Sequence, residues 1–504
     1  MIDDYMNKQR KMGAVLSYSN IIAKTLVLFM YTPFLLRFIG QADYGLFQIT
    51  NSIMSGLGLL SMGFSSAYVK FYINYDVHND KRDIDRLNAL YLLLFMFISF
   101  ISLIIGAILI FKINYLFSRS LNSHQIVLMK YLMIIMVIDV ALTFISSVFD
   151  SNIIVNEQFI FQQTRQLMQT FLVPIICVPL VFIGIGVVSV SITQLLITII
   201  FFILNVNYCR KKLNMNFDFN DLHLSLLKKL GIFSFFIFIN QIVDLVNSNS
   251  SSFILGMFRS PKIVATFAIA IQIENVFIMI TATLTNIFKP KVNKMVDADV
   301  NKELLTDFMI KVGRIQMTIL LFLLGGFIVV GQFFIKMWAG SENIMAYWLV
   351  ILMASVSIIP WSQEVGIEIQ KAMNKHIFRS VLYIFFAIIN IVCTTYGSIK
   401  FGLFGAVSGY LISFIFANGI AMNWYFQARM GLDMRRYWIR TIGVMVPFLV
   451  GTITGLLFGY FFAINSIVLF LVSGLLYSIV YAFVYLEFTA TDFERNALIK
   501  IHSK

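Results

Sequence analysis

Residues 88–111 read NALYLLLFMFISFISLIIGAILIF, a run with no acidic or basic side chain. A helix needs roughly 20 mostly apolar residues to cross the hydrocarbon core of a bilayer, so this stretch is long enough to span and too apolar for water. Measured outward with the same ruler, the chain holds further candidate spans near 13–37, 44–69, 126–149, 165–184 and 187–208. Beyond the polar segment CRKKLNMNFDFNDLHLSLLKK at 209–229 come 230–256, 263–288, 308–331, 347–370, 377–399 and 403–425, then a pair near 440–461 and 465–487. The predicted class is an all-α integral membrane protein of about 14 transmembrane helices.

Composition agrees. The 504 residues are 59% hydrophobic and 12% charged, where soluble domains carry roughly a quarter charged residues. A single core cannot hide that much apolar surface in water. The net charge of +13 forms no continuous basic face, which argues against nucleic acid as a partner. Cys177, Cys209 and Cys393 lie far apart in or beside apolar runs, without metal-ligand spacing; they read as small buried residues. The opening MIDDYMNKQRKMG has no cleavage pattern and leads directly into the first span.

Loop charge tests the count, because cytoplasmic loops collect Lys and Arg when consecutive spans alternate sides. With the N-terminus inside, the inner loops receive Lys81, Arg82, Arg86, Lys211, Lys212, Lys289, Lys291, Lys294, Lys371, Lys375, Arg379, Arg435, Arg436 and Arg440, among others. The outer set is nearly limited to Arg37, Lys112, Arg119, Lys130, Arg259, Lys262, Lys336 and Lys400. An even count with both termini cytoplasmic fits this asymmetry. Trp338 and Trp348 flank an outer loop and Trp424 and Trp438 an inner one, as interfacial rings should.

The polar break predicts an N-terminal lobe at 1–208 (six spans), a cytoplasmic linker at 209–229, a C-terminal lobe at 230–425 (six spans), and a terminal helix pair with tail at 426–504. The start of the second half faintly repeats the first: KMGAVLSYSN at 11–20 aligns with KLGIFSFFIF at 229–238, and DYGLFQI at 43–49 with IVATFAI at 263–269. A duplicated six-helix unit around a central cavity is a common transporter plan; chance likeness of two apolar helices is the other reading. Gly451, Gly455 and Gly459, with Gly405 and Gly409, suggest close helix packing. Pro174, Pro179 and Pro360 are candidate kinks.

Ionisable groups inside spans are costly and normally face protein or a water-filled cavity. Asn240, Asp244, Asn247 and Ser251 share one helical stripe, as do Asp139, Thr143, Ser146 and Asp150. Asn20 and Lys24 join Ser17 and Tyr31 on span one; Gln272, Glu274 and Asn275 lie on span eight; Ser357, Gln363, Glu364 and Glu368 lie on span ten. For an isolated Ser, Thr or Asn the simpler role is helix packing. Lys24, Asp244 and Glu274 stand at mid-depth and supply the two signs of charge that a polar or anionic substrate and a coupling cation require. Asp150, Glu364 and Glu368 lie nearer helix ends, where an interfacial position also explains them.

No GxxxxGK[ST] loop is present, so ATP hydrolysis by that route is excluded. The five His are scattered, and no Ser/His/Asp set or HExxH motif appears. No cofactor is expected; transport would be coupled to an ion gradient or potential, a proton or sodium gradient being the candidate, or would run downhill.

At 33–48 the sequence reads PFLLRFIGQADYGLFQ, followed by SMGFSSAYVKF at 61–71. This resembles the opening of the bacterial polysaccharide flippases, Wzx-like members of the multidrug/oligosaccharidyl-lipid/polysaccharide exporter superfamily, with Pro33, Arg37, Gly40, Tyr44, Gly45 and Phe47 at the motif positions and Gly63 and Phe64 at the turn late in span two. The resemblance implies two six-helix lobes with extra C-terminal helices. It also implies translocation of an undecaprenyl-diphosphate-linked oligosaccharide, such as an O-antigen, capsule or exopolysaccharide unit, across the bacterial cytoplasmic membrane by alternating access. Lys24 would then contact the diphosphate or an acidic sugar, and Asp244 and Glu274 would serve coupling. Expected partners are the lipid-linked substrate, membrane lipids, and the glycan polymerase and glycosyltransferases of the pathway. The alternatives are a cation-coupled drug or metabolite exporter of the same superfamily, a membrane-embedded polymerase, which the short outer loops disfavour, and a scaffold for partner enzymes.

Overall fold

The computed structural model describes residues 2–61, 63–78, 80–220, 231, 234, 238, 241, 242, 245, 250–375, 377–492, 494 and 495. Among them, 13 helices are long and apolar enough to cross a membrane. The fourteenth expected span, near 230–256, lies mostly outside the described residues. The chain divides into two compact units, one extending to Ala265 and the other starting at Thr266.

The first unit contains α1 (Ile2–Phe38), α2 (Gln41–Gly58), α3 (Phe64–Val77), α4 (Lys81–Leu116), α5 (Ser123–Val155), α6 (Phe159–Phe182) and α7 (Val188–Lys211). With 37 residues, α1 runs about 55 Å at 1.5 Å per residue, well beyond the hydrocarbon core. Polar caps set the helix starts where the sequence supplies them: Asn122 and Gln125 form a capping box on α5, and Asp80 caps α4. The expected second span is a broken helix, α2 and α3, interrupted at Gly63 with φ 95°, a conformation only glycine adopts cheaply. Pro174 and Pro179 sit within an uninterrupted α6.

Pair contacts agree with alternating spans. α1 and α6 run parallel, Gln9 accepting from the amide of Ile160 and Phe34 meeting Phe182. α4 and α5 run antiparallel, with Ser99 bonded to the Ala141 carbonyl and Gly106 against Val137. The core between α3, α4 and α5 buries Tyr68, Tyr91, Phe95 and Phe144. It remains polar at one point, where the Tyr68 hydroxyl donates to Asn88 at 2.7 Å and accepts from Asn152 at 2.9 Å.

The motif glycine Gly45 has a packing role. A Cβ there would overlap the Pro261 carbonyl, so α2 crosses the first turn of the helix that begins at Pro261 at backbone distance. In the alignment of 43–49 with 263–269, Gly45 matches Ala265, whose amide nitrogen lies 3.2 Å from that Cβ position. Tyr44 and Phe47 are buried in the same region, and Gly40 allows the α1 to α2 turn with φ 86°.

The chain passes from the first unit into the second along α8 (Pro261–Asp297), whose first five residues belong to the first unit. The second unit continues with α9 (Lys302–Ala339), α10 (Met345–Ser362), α11 (Glu364–Ala372), α12 (Ile377–Phe401), α13 (Leu403–Ser413), α14 (Met422–Ala428), α15 (Met434–Thr441), α16 (Met445–Phe461) and α17 (Ile467–Val484). The tenth span breaks between α10 and α11 at Gln363, just after Pro360, whose carbonyl accepts the Gln363 amide. Between α13 and α14, residues Phe414–Ala421 form a π-helical stretch. Wide turns leave carbonyls poorly placed for the helix ladder, and the Asn423 amide donates to two of them, Gly419 at 2.7 Å and Asn418 at 3.3 Å.

Gly451 and Gly455 pack as their spacing suggests, against Tyr477 and Val329 respectively. Gly405 and Gly397 bring α13 and α12 to backbone contact. The terminal pair α16 and α17 is fixed to α9 by tyrosines, Tyr477 donating to the Phe322 carbonyl and Tyr481 to that of Thr318, both at 2.8 Å. Trp338, one residue before the end of α9, is buried and stacked on Phe334. Trp348 is half exposed. Cys177 and Cys209 are buried and Cys393 half-buried, all as free thiols.

Candidate functional site

In the first unit, Asn20 is buried on α1 and donates to both the backbone and side-chain oxygens of Gln163 on α6, at 2.8 and 2.9 Å. Its own Oδ1 has no hydrogen-bond partner among the described residues. One turn on, Lys24 is exposed. Asp139 on α5 is half-buried within reach of Thr198 on α7, with Oδ1 unpartnered among the described residues. These positions put Asn20 in an inter-helix contact and leave the Lys24 ammonium accessible.

A more tightly built cluster lies elsewhere in the same unit. Asp150 at the end of α5 pairs with Arg165 of α6; Arg165 also donates to Asn205 of α7 at 2.7 Å, and Asn205 donates to Asp150 at 3.0 Å and to Ser146 at 3.3 Å. Sequence reading left Asp150 as an interfacial candidate and passed over Arg165 and Asn205. The stripe of Asp139, Thr143, Ser146 and Asp150 pointed to the correct face of α5 but not to what faces it.

In the second unit Glu274 is 3% exposed on α8. Its carboxylate accepts from the Tyr410 hydroxyl of α13 and is hydrogen-bonded to Ser357 of α10, and Ser357 and Tyr410 lie 2.5 Å apart. Among the described residues Glu274 makes no ion pair. Ser357 belonged to the expected stripe; Tyr410 did not, since a lone tyrosine in an apolar span carries no signal of its own. Gln272 is half-buried and partnered, and Asn275 is exposed.

The span-ten group divides between two environments. Gln363 is buried at the helix break in a reciprocal amide pair with Asn423, at 3.0 and 3.2 Å, and Asn423 also accepts from the Trp438 indole at 2.8 Å. Glu368 is buried and held by two lysines, Lys371 at 2.5 Å and Lys289 at 3.4 Å. Glu364 is half-buried and partnered. Gln363 and Glu368 thus have partners that explain them as packing and ion-pair groups. Asn240, Asp244 and Asn247 lie outside the described residues.

One buried pair was missed altogether. Arg314 of α9 donates to Glu494 at 2.8 and 3.0 Å, to the Thr489 carbonyl at 2.7 Å and to the Arg440 carbonyl. Burial opposes the charge on Glu494, but Arg314 and the Thr491 amide outweigh it and hold the carboxyl below its ordinary range. This network ties the ends of three spans together.

Comparison with known proteins places these groups in a transporter fold. The chain shares its fold with the lipid II flippase MurJ in an inward closed conformation, with TM-score 0.73, 14% identity, and coverage of 93% of this chain and 97% of that one. A multidrug resistance MATE family transporter of the MOP superfamily follows with TM-score 0.60, 15% identity, and coverage of 83% and 94%. The Vibrio cholerae MATE transporter VcmN gives TM-score 0.53, 14% identity, and coverage of 86% and 99%. Each is a flippase or transporter rather than an enzyme. No curated sequence matches the chain. The family model described as "Polysaccharide biosynthesis protein" matches residues 34–350, beginning inside the 33–48 motif. The chain is therefore a multi-pass membrane protein of flippase and transporter fold, and it belongs to the polysaccharide biosynthesis protein family.

Proposed function

We propose that this protein turns an undecaprenyl-diphosphate-linked oligosaccharide across the bacterial cytoplasmic membrane by alternating access, with both termini in the cytoplasm. The family match over residues 34–350 carries the reading. The fold shared with a lipid II flippase supports it. In this proposal the two six-helix lobes and the terminal pair expected from sequence form the transport body. The substrate passes to the glycan polymerase after glycosyltransferases have built it.

Two groups take distinct roles. Lys24 is an exposed cation part-way along α1, suited to a diphosphate or an acidic sugar. Glu274 serves coupling: its partners are hydroxyls rather than a cation, so it can take up or release a proton without breaking an ion pair. Asp244 remains a second coupling candidate, and Asn20 and Asp139 are candidates for the substrate path. A drug or metabolite exporter of the same superfamily is the second reading, favoured by the fold shared with a multidrug transporter.

Deleting the gene should trap lipid-linked repeat units, unpolymerised, in the cytoplasmic leaflet, and Lys24→Ala should reproduce this in a protein that still inserts. Accumulation of units accessible from outside would instead indicate a defect after translocation and would overturn the flippase assignment.

A further inference from the structure

Residues 162–170 of α6 read QQTRQLMQT, a polar stretch inside a span. Two of these side chains turn to neighbouring helices. Gln163 accepts from Asn20 of α1 at 2.9 Å, and Arg165 reaches Asp150 of α5 and Asn205 of α7. Gln162, Gln166 and Gln169 fall between those two contacts, at i, i+4 and i+7 on a single stripe. Their side-chain amides make no hydrogen bond among the described residues. Gln169 is exposed, and Gln162 and Gln166 are half-buried.

The stripe does not face lipid. The exposed apolar side chains of α6, Met168, Phe171 and Ile175, lie roughly 150° around the helix from it at 3.6 residues per turn. Helix α1 is arranged alike: Val15, Ile22 and Leu26 are exposed, and Lys24, also exposed, lies about 180° from them. The two helices run parallel and touch through Asn20 and Gln163. Both apolar stripes therefore fall on one side of the pair, and Lys24 and the three glutamines on the other. Lys24 stands about one turn beyond Asn20, and Gln166 and Gln169 about one and two turns beyond Gln163, so cation and amides share one depth. An exposed amide in hydrocarbon would leave its donors and acceptor unsatisfied; this side of the pair fronts water or a polar ligand.

A glutamine amide offers two donors and an acceptor without net charge. Such groups hold no ion as Lys24 or Glu274 can, but they match the hydroxyl and acetamido groups of a sugar. We propose that Gln162, Gln166 and Gln169 form a glycan-reading wall of the first unit, hydrogen-bonding the sugar attached to the diphosphate while Lys24 holds the diphosphate itself. This assignment rests on the flippase function proposed for the chain, and adds to it the residues that distinguish a glycan-bearing lipid from its bare carrier.

Binding to the full-length protein in nanodiscs separates carrier from glycan. The probes are undecaprenyl diphosphate and the lipid-linked repeat unit extracted from a strain lacking the protein. The wild type should bind the repeat unit more tightly than the bare carrier. Gln166→Leu combined with Gln169→Leu should reduce that preference on the order of tenfold and leave affinity for undecaprenyl diphosphate unchanged. Lys24→Ala should weaken both probes alike. If the double variant fails to fold, Gln169→Cys decides the matter. Read against the wild type, it should react with a charged thiol reagent and be protected by the repeat unit, whereas Phe171→Cys should stay unreactive. Equal affinity of the wild type for the two probes, an undiminished preference in the double variant, or an unreactive Gln169→Cys overturns the wall and leaves the flippase function standing. Binding of neither probe removes both.

Discussion

Asp150 in the first unit and Glu274 in the second are both carboxylates inside spans, and they are satisfied in opposite ways. Asp150 faces a guanidinium, with Asn205 completing the contact. Glu274 faces two hydroxyls and makes no ion pair among the described residues. A charge paired with a charge loses its partner's stabilisation if it is neutralised, so that pair favours a fixed state. A carboxylate held by hydroxyls can keep its hydrogen bonds with or without a proton, because a hydroxyl can donate or accept. The first arrangement suits architecture and the second suits coupling.

The largest effect that would sharpen this contrast is on transport. Glu274→Gln retains an acceptor for Tyr410 but cannot ionise; delivery of glycan to the surface should fall to background while thermal unfolding in detergent shifts by less than about 1 kcal/mol. Normal surface glycan in this variant would break the comparison at once.

On stability the order reverses. Arg165→Met leaves Asp150 with Asn205 as its donor but without a countercharge, and should cost about 2 kcal/mol, less than a fully buried pair because Asp150 is partly exposed. Asp150→Asn added to it should restore part of that loss, because no uncompensated charge remains. A double variant no more stable than Arg165→Met would mean that packing, not charge, dominates the cluster.

The smallest effect is at the exposed pair of Arg10 and Glu157, which joins α1 to the loop before α6 at 2.8 Å. The Arg10 guanidinium, chiefly by hydrogen bonding, holds the Glu157 carboxyl below its ordinary range. A depressed carboxyl stabilises the fold above its unfolded value, and the contribution disappears as pH falls through the folded value. With Arg10 60% exposed, solvent screening keeps that contribution small. Arg10→Ala should therefore lower stability slightly at neutral pH and leave it unchanged in acid; equal loss at both would assign the effect to something other than Glu157 ionisation.

Much of this was legible beforehand. Thirteen of the expected spans are helices, because apolar length is a local property and backbone groups in lipid must be satisfied within the helix. Polar stripes were legible as faces: Ser357, Ser146 and Glu274 do turn inward to polar neighbours. The partners were not legible, since Tyr410 is 136 residues from Glu274 and Asn205 is 55 from Asp150. Helix breaks were read unevenly. Gly63 marked one and Pro360 another, the span expected at 347–370 dividing just after it at Gln363, whereas Pro174 and Pro179 leave α6 unbroken, and the span expected from 440 begins at Met434 on a short charged helix that hydropathy overlooks.

The sequence by itself determined that this chain lives in lipid, where the 13 described spans lie, and which family it resembles, because each depends on composition and spacing along the chain. Only tertiary structure decided which inward-facing carboxylate meets an arginine and which meets hydroxyls. Helical periodicity selects a face, but the neighbour across that face is brought there by packing, as Gly45 shows where α2 crosses at backbone distance.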